Sequence, residues 1–259
     1  MKNIIDFYQN YDEESRLTNG KAKRIEFVTT THLLNNHIQG SHKIIELGAG
    51  TGVYAFYYAA KGCHVVATDI SPHHIEIINQ KLNQVKERLQ LDAKVANAID
   101  LSEFENESHD VVLCLGPMYH LTEAKDRQQC IEECKRVLKK GGLLAVAYIN
   151  KHFAINYAMK KKNHHITRKF IDKILDTGVI RTGEKECFWT DAFFTNKDEI
   201  ESFIAKFDLE IIDHVATDGV SPMLNDAIDC ISEEQYNAWI YYHLRSCRDK
   251  SIMGLSNHG

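Results

Sequence analysis

The chain has 259 residues, of which 44% are hydrophobic and 26% charged, and its formal net charge is −5. These values are typical of a folded globular protein and exclude an intrinsically disordered chain. The length allows one large α/β domain with an insertion, or two small domains. The acidic balance disfavours a nucleic-acid partner, because a phosphate backbone attracts basic surfaces.

The sequence contains no apolar run near the roughly 18 residues that a membrane helix needs. It also does not open with a basic segment followed by an apolar one, the pattern of a secretory signal. The seven cysteines are odd in number and include no CxxC pair, which indicates reduced thiols rather than disulfides or a zinc ribbon. We therefore expect a cytoplasmic protein without a membrane segment.

Residues 1–40 are predicted to form a helical cap, because segment 22–36 spaces its apolar residues as an amphipathic helix does. Tyr8, Tyr11 and Arg16 precede that segment. Their amphipathic and cationic side chains either close over a ligand or simply anchor the segment.

From residue 43 to residue 149, short apolar runs alternate with helical patterns. This alternation predicts crossover connections and a doubly wound, mostly parallel sheet, which is a Rossmann-like α/β fold. Ligands of such sheets bind beyond the carboxyl ends of the strands. The predicted strands are residues 43–47, 64–69, 93–98, 111–115 and 143–149.

Two of the intervening helices have clear start or stop signals. One begins with Ser71 as N-cap and Pro72 at the first helical position, and its apolar stripe runs as far as Leu89. Another is predicted over residues 122–139, with Gly141 as its stop signal.

The first strand leads into a glycine turn at residues 48–52, and the second strand ends in Asp69. The glycines permit close approach of a ligand to the backbone, and a carboxylate about 20 residues later can bind a ribose diol. Without a ligand, the same features would be a tight turn and a helix cap. Val53 replaces the third glycine of a dinucleotide fingerprint, and Glu46 would repel a pyrophosphate. The pattern therefore favours a sulfonium cofactor over NAD or a flavin.

At this point the sequence resembles the class I S-adenosylmethionine-dependent methyltransferases, in particular a bacterial small-molecule branch. The resemblance covers roughly residues 40–150. The residues that carry it are Ile45-Glu46-Leu47-Gly48-Ala49-Gly50-Thr51-Gly52, Asp69, Leu115-Gly116-Pro117 and Lys140-Gly141-Gly142.

The resemblance implies that S-adenosylmethionine is the cofactor, with its methionine end at the glycine turn and its ribose at Asp69. The family often has Gly-Asp-Ala in the adenine loop where this chain has Ala96-Asn97-Ala98, so Asn97 would contact the adenine through its carbonyl oxygen. Asp100 is a nearby substitute, or the cap of a turn. The implied cofactor residues are Glu46, Gly48, Ala49, Gly50, Gly52, Asp69, Ile70, Asn97, Ala98 and Leu115, with Tyr11 and Arg16 as covering residues.

The acceptor is expected beside the loop after the fourth strand, where Tyr119 and His120 are adjacent. His120 is a candidate general base, because its imidazole titrates near neutral pH. Alternatively it caps the helix that starts near Thr122. The Asn/Asp-Pro-Pro-Tyr/Phe signature of nucleic-acid base methylation is absent here. A sulfonium is also electrophilic enough for alignment alone to supply much of the rate.

We predict a single domain with four parts: a cap over residues 1–40, a cofactor-binding core over 41–150, a lid over 151–194 and a C-terminal part of the core over 195–259. The lid is an insertion between strands five and six, with a hairpin-like arm at 186–194. In the last part, Thr195 caps a helix, residues 209–216 form the sixth strand and residues 225–248 are helical. Either the chain stops before a seventh strand, or the sheet is one strand short.

The predicted function is transfer of a methyl group from S-adenosylmethionine to an oxygen, nitrogen or sulfur atom of a small molecule. Two alternatives remain: a cofactor-binding protein without catalysis, and an NAD-dependent oxidoreductase. No metal site is expected, because no histidine, cysteine or carboxylate pattern has ligand spacing. The sequence identifies neither the acceptor nor the oligomeric state.

Overall fold

The structure is a computed structural model that describes residues 2–259. Its strands are β1 (Lys43–Leu47), β2 (His64–Asp69), β3 (Leu91–Val95), β4 (His109–Cys114), β5 (Leu138–Val146), β6 (Ile149–Asn150), β7 (Val179–Ile180) and β8 (Ala192–Thr195). Its helices are α1 (Lys2–Tyr8), α2 (Lys21–Leu34), α3 (Val53–Ala60), α4 (Pro72–Leu82), α5 (Ala124–Val137), α6 (Lys151–Lys161), α7 (Arg168–Asp176), α8 (Lys197–Ile204), α9 (Asn225–Cys230), α10 (Glu233–Ser246) and α11 (Lys250–Met253).

The chain divides into two compact units. The first comprises residues 1–14 and 35–147, and the second comprises residues 15–34 and 148–259. The domain boundaries and the lid proposed from the sequence stay predictions. Among the described helices, none combines the length and the apolar character that crossing a membrane requires.

The first unit is built on a five-stranded sheet in the order β3-β2-β1-β4-β5. All four strand pairs are parallel, and α3, α4 and α5 supply crossover connections. The predicted Rossmann-like fold is thereby confirmed. Central β1 is almost entirely buried, as its apolar sequence requires. Because the strands are parallel, the turns that follow β1, β2 and β4 lie at one edge of the sheet.

The start of α4 agrees with its sequence signals, whereas its end does not. Ser71 accepts a hydrogen bond from the backbone N–H of His74, and Pro72 occupies the first helical position. The helix ends at Leu82, so the stripe that was predicted to reach Leu89 is shorter. Val85, beyond the end, is 39% exposed.

The predicted stop at Gly141 is wrong. Helix α5 ends at Val137, and the chain passes directly into β5. Gly141 lies within β5 and has a φ of 73°, next to a shift in the β4–β5 register between His109 and Val111. Gly141 therefore provides the positive φ at an irregularity in the strand, and it does not cap a helix.

The second unit contains a small sheet in the order β6-β8-β7. Strands β7 and β8 are antiparallel and joined by residues 181–191, so the hairpin-like arm is present with an earlier first strand than predicted. Thr195 is the last residue of β8 and not a helix cap. Asn196 caps α8 instead, with its side chain accepting the Glu199 N–H at 3.0 Å.

The predicted sixth strand at residues 209–216 is also wrong. Within the described chain this segment has no sheet pairing, and the side chains of Ile211 and Ile212 are 43% and 57% exposed. Its last residue, Ala216, donates its N–H to the carbonyl of Cys247. The following helical stretch is split, because Ser232 starts α10 with a capping box and ends the continuity with α9.

A charged cluster joins three separate segments of the second unit. His258 Nδ1 lies 3.1 Å from Asp218 and 3.3 Å from Glu26 on α2, and Arg16 binds Glu26 at 3.0 Å. Burial alone lowers the pKa of His258, but the two carboxylates outweigh it and the net pKa is raised. The protonated imidazolium therefore stabilises the fold.

We expect His258→Gln to lower the free energy of unfolding by about 1.5–3 kcal/mol in mildly acidic buffer, the range for hydrogen bonds to charged groups. A raised pKa gives stability that is complete below the unfolded pKa of about 6.5 and is lost as pH rises through the folded pKa. Urea unfolding of both proteins across that interval should therefore show the difference shrinking as pH rises. His164→Gln, at an exposed position, is the control and should show no such trend.

Candidate functional site

The glycine turn after β1 depends on backbone conformations that only glycine adopts readily. Gly48, Gly50 and Gly52 have φ angles of 67°, 54° and 86°. A Cβ on Gly48 would lie 3.0 Å from Pro117 Cδ, and one on Gly116 would lie 2.9 Å from the Gly48 carbonyl oxygen. The turn after β1 therefore packs directly against the loop after β4, with no room for side chains between them.

Asp69, at the end of β2, holds this turn in place. Its Oδ2 accepts the Gly50 N–H at 2.8 Å and its Oδ1 accepts the Ser71 N–H at 2.8 Å. Ala49 adds a backbone hydrogen bond from its N–H to the Thr68 carbonyl at 2.9 Å. Asp69 is 7% exposed. Its Oδ1 also lies 3.4 Å from His74 Nδ1, and Oδ2 keeps a second lone pair for a further donor.

Two further polar side chains of β1 and its turn are buried. Glu46 is 2% exposed within the strand; burial raises the pKa of the Tyr58 hydroxyl, and the negative charge of Glu46 adds to that shift. Thr51 is also 2% exposed, and its Oγ1 has no hydrogen-bond partner among the described residues. A buried hydroxyl without a partner is unfavourable, so this atom points to a ligand at the turn.

Thr51 was not selected from the sequence, although it stands between two glycines of the turn. Two acidic residues of the N-terminal segment were missed as well. Glu13 Cγ lies 2.9 Å from where a Cβ on Gly50 would be. Glu14 forms an ion pair with Lys81, whose ammonium also donates to the Thr51 carbonyl at 2.9 Å. No local pattern links residues 13 and 14 to a turn more than 30 positions away.

Helix α1 contributes an aromatic side chain to the loop after β4. The Tyr8 hydroxyl lies 2.8 Å from His120 Nε2, and the two rings are nearly perpendicular with centroids 5.4 Å apart. Tyr8 also contacts the ring of His74 edge-on at 5.4 Å. Tyr11 packs against Phe7 and Tyr8 at 5.3 and 5.7 Å. Tyr8 and Tyr11 thus lie in the same aromatic cluster as His120.

His120 follows a short 3₁₀ turn, Pro117–Tyr119. It does not cap the next helix, because Glu123 is the N-cap of α5 and no side-chain capping bond is made there. Tyr119 is 8% exposed, and its ring centroid lies 4.9 Å from that of His120. In the tautomer with Nε2 protonated, Nε2 donates to the Tyr8 oxygen and Nδ1 carries the lone pair that a general base requires.

The loop after β3 is ordered by its own side chains. Asn97 Oδ1 accepts the Ile99 N–H at 3.3 Å, and Asp100 Oδ1 accepts the Ser102 N–H at 3.2 Å. The hydrogen bonds from Ser102 lower the pKa of Asp100, which is therefore a turn cap. The assignments of Asn97 and Ala98 to an adenine site stay predictions, as do those of Ile70 and Leu115, which directly follow β2 and β4.

Arg16 belongs to the second unit, where its guanidinium binds both oxygens of Glu26 at 3.0 and 3.1 Å. The structure therefore gives this residue a partner within its own unit. Its predicted role in covering the cofactor stays a prediction.

Comparison with known proteins agrees with this geometry. Residues 45–146 match the methyltransferase domain family. A ubiquinone biosynthesis O-methyltransferase of Xanthomonas oryzae pv. oryzae is 28% identical over 109 residues, which are 42% of this chain and 44% of that protein. The enzyme of the same name from Hahella chejuensis is 29% identical over 139 residues, 50% of this chain and 56% of that protein. The chain thus spans about half the length of these curated relatives.

Solved structures share the fold. A SAM-dependent methyltransferase of Methanosarcina mazei superposes with a TM-score of 0.58 at 23% identity, covering 71% of this chain and 86% of that one. A putative sarcosine dimethylglycine methyltransferase of Galdieria sulphuraria gives 0.54 at 15% identity, covering 91% and 83%. At such identities the likeness concerns the fold alone.

Proposed function

We propose that this chain, whose residues 45–146 match the methyltransferase domain family, is a class I S-adenosylmethionine-dependent methyltransferase that transfers the cofactor's methyl group to an oxygen, nitrogen or sulfur atom of a small molecule. Among these, a hydroxyl acceptor is favoured. The observation that carries this proposal is the Tyr8–His120 hydrogen bond in the first unit, beside the loop that packs on the glycine turn. The two relatives compared above are named O-methyltransferases.

The residues at the turn fit S-adenosylmethionine. Asp69 keeps a lone pair on Oδ2 for the ribose while its backbone bonds fix its position. The buried carboxylate of Glu46 suits the cofactor's ammonium group, and Thr51 Oγ1 is a buried hydroxyl for which a ligand would supply the partner. The glycines let a ligand approach the turn more closely than side chains would allow. The N–H groups of Ala49, Gly50 and Gly52 are themselves bonded within the protein and brace the turn.

When bound, the cofactor supplies an electrophilic methyl group on a sulfonium. The chain then has to align the acceptor with that methyl group and receive the acceptor's proton. His120 is the proposed proton acceptor, and Tyr8 holds its ring through Nε2. Tyr119, packed against the His120 ring, is proposed to contact the acceptor.

Binding and turnover test this function in two steps. Isothermal titration calorimetry should show binding of S-adenosylhomocysteine and none of NAD. A panel of phenols, alcohols, amines and thiols, assayed with methyl-labelled cofactor, should then give a methylated product with a hydroxyl acceptor. Binding without turnover on any acceptor would favour a catalytically silent cofactor-binding protein, and binding of NAD alone would favour an oxidoreductase.

Thr51→Val should separate ligand binding from stability. Valine has nearly the same shape but removes a buried hydroxyl that has no partner in the described structure, so the melting temperature should stay unchanged or rise. Affinity for S-adenosylhomocysteine should fall about fivefold, the equivalent of one net hydrogen bond of about 1 kcal/mol. Equal affinities of the two proteins would remove Thr51 from the cofactor site.

We also propose that the enzyme acts in the cytoplasm, without nucleic acid or membrane as partner. The cysteines of the described chain are all free thiols, which suits a reducing compartment. Their redox state in protein isolated under nonreducing conditions would test this location.

A further inference from the structure

Three cysteines from one strand and one helix meet inside the first unit. Cys114 is the last residue of β4, and Cys130 and Cys134 lie one turn apart on α5. All three are completely buried. Their sulfur atoms lie within 4.8 Å of one another, and those of Cys114 and Cys130 are 3.8 Å apart.

This spacing matches the geometry of a metal–thiolate centre. Zinc–sulfur bonds are about 2.3 Å long, so three sulfurs around one cation in a plane are separated by about 4 Å. A disulfide, with sulfurs about 2.05 Å apart, would require Cys114 and Cys130 to approach much more closely than they do. The sulfur separations are thus close to those of a metal–thiolate centre and far from that of a disulfide.

We propose that Cys114, Cys130 and Cys134 form a binding site for a thiophilic metal cation, of which Zn²⁺ and Cd²⁺ are representatives. The donor set is sulfur only, which selects soft or borderline cations over Mg²⁺, Ca²⁺ and Mn²⁺. On binding, metal–sulfur bonds replace S–H bonds, and the displaced protons pass to the solvent. This inference does not depend on the proposed methyl transfer.

The location of the site determines how it must be loaded. Because the sulfurs are completely buried, a cation can enter only when α5 and β4 separate locally or while the chain folds. Loading of the native protein should therefore be slow, and loss of the bound cation should be slow as well. Cys114 directly precedes the loop that carries Tyr119 and His120, so a bound cation would anchor the start of that loop.

Cadmium is the probe of choice, because thiolate–cadmium bonds absorb in the ultraviolet and ¹¹³Cd NMR reports the ligand type. The more accessible thiols are first removed as Cys187→Ser and Cys230→Ser. We expect one Cd²⁺ per chain, retained through desalting in native mass spectrometry, after either long incubation or refolding with the metal. The ¹¹³Cd shift should indicate sulfur ligands, and an excess of Mg²⁺ should not displace the ion.

In that background, Cys130→Ala should weaken Cd²⁺ binding at least 100-fold, whereas Cys63→Ala, a buried cysteine outside the cluster, should leave it unchanged. If Cys130→Ala does not fold, the ¹¹³Cd shift of the parent protein decides, because only this cluster offers several sulfurs together among the described residues. The site is refuted if no charge-transfer band appears at one equivalent after refolding, if Cys63→Ala lowers the affinity equally, or if the shift indicates oxygen or nitrogen ligands.

Discussion

Asp69→Ala should weaken the binding of S-adenosylhomocysteine by about 30- to 150-fold, corresponding to about 2–3 kcal/mol. The variant removes the proposed acceptor for the ribose hydroxyls. It also removes the acceptor of the Gly50 and Ser71 N–H groups, so the glycine turn loses its attachment to β2. The melting temperature should therefore fall together with the affinity. Calorimetry and thermal unfolding of the same samples measure the two effects.

Two further variants, the conservative Asp69→Asn and the control Asp92→Ala, complete this experiment. Asparagine keeps one carbonyl oxygen for a backbone N–H but loses the second acceptor and the charge, so affinity should lie between those of the parent and of Asp69→Ala. Asp92 is an exposed carboxylate on the neighbouring strand β3, and its removal should change neither quantity. A folded Asp69→Ala protein with unchanged affinity would show that the ribose does not bind at Asp69.

His120→Gln should slow the methyl-transfer step by about 100-fold or more, the low end for general-base contributions, with cofactor affinity nearly unchanged. The reason is that, in the proposed mechanism, His120 handles only the acceptor's proton. The loss should shrink for acceptors that are already ionised at the assay pH. Single-turnover rates over acceptors of graded pKa measure this dependence. A small, uniform loss across the series, or a joint loss of stability and cofactor binding, would indicate a structural histidine.

Tyr8→Phe tests the partner of His120. It removes the hydroxyl 2.8 Å from Nε2 and keeps the ring that packs on His120 and His74. We expect roughly a fivefold slower transfer, the kinetic equivalent of one net hydrogen bond, and a shifted pH–rate profile. His73→Gln changes an exposed histidine of the same unit and should leave both the rate and the profile unchanged.

Elements with strong local signals were predictable from the sequence. β1 and β2 occur at their predicted bounds, and the Ser71-Pro72 start of α4 is as predicted. In each case the determining interaction lies within a few residues: an apolar run, a hydroxyl that bonds the third N–H, a proline with its fixed φ. The helix continuation to Leu89 and the strand at residues 209–216 lacked such signals and rested on apolar spacing alone.

Apolar spacing was insufficient at residues 209–216 because a strand requires a partner. Ile211 and Ile212 are exposed, and the N–H of the last residue, Ala216, bonds the carbonyl of Cys247 instead of a neighbouring strand. Gly141 is a second position at which a local sequence signal did not decide the structure. A glycine after a helix is a good stop signal. Here, however, α5 ends at Val137 and Gly141 lies inside β5 with a positive φ.

For the candidate site, the sequence by itself indicated the groups that are consecutive or follow a strand at a fixed distance: the glycine turn, Asp69 and the Tyr119-His120 pair. Their roles stay predictions. Parallel strand order then requires their turns to share one edge. Tertiary structure alone decided which side chains from elsewhere reach them. Tyr8 meets His120 across 112 positions, and Cys114 joins Cys130 and Cys134. Such contacts depend on how α1 and α5 pack on the sheet, and no sequence periodicity encodes the relative placement of two elements.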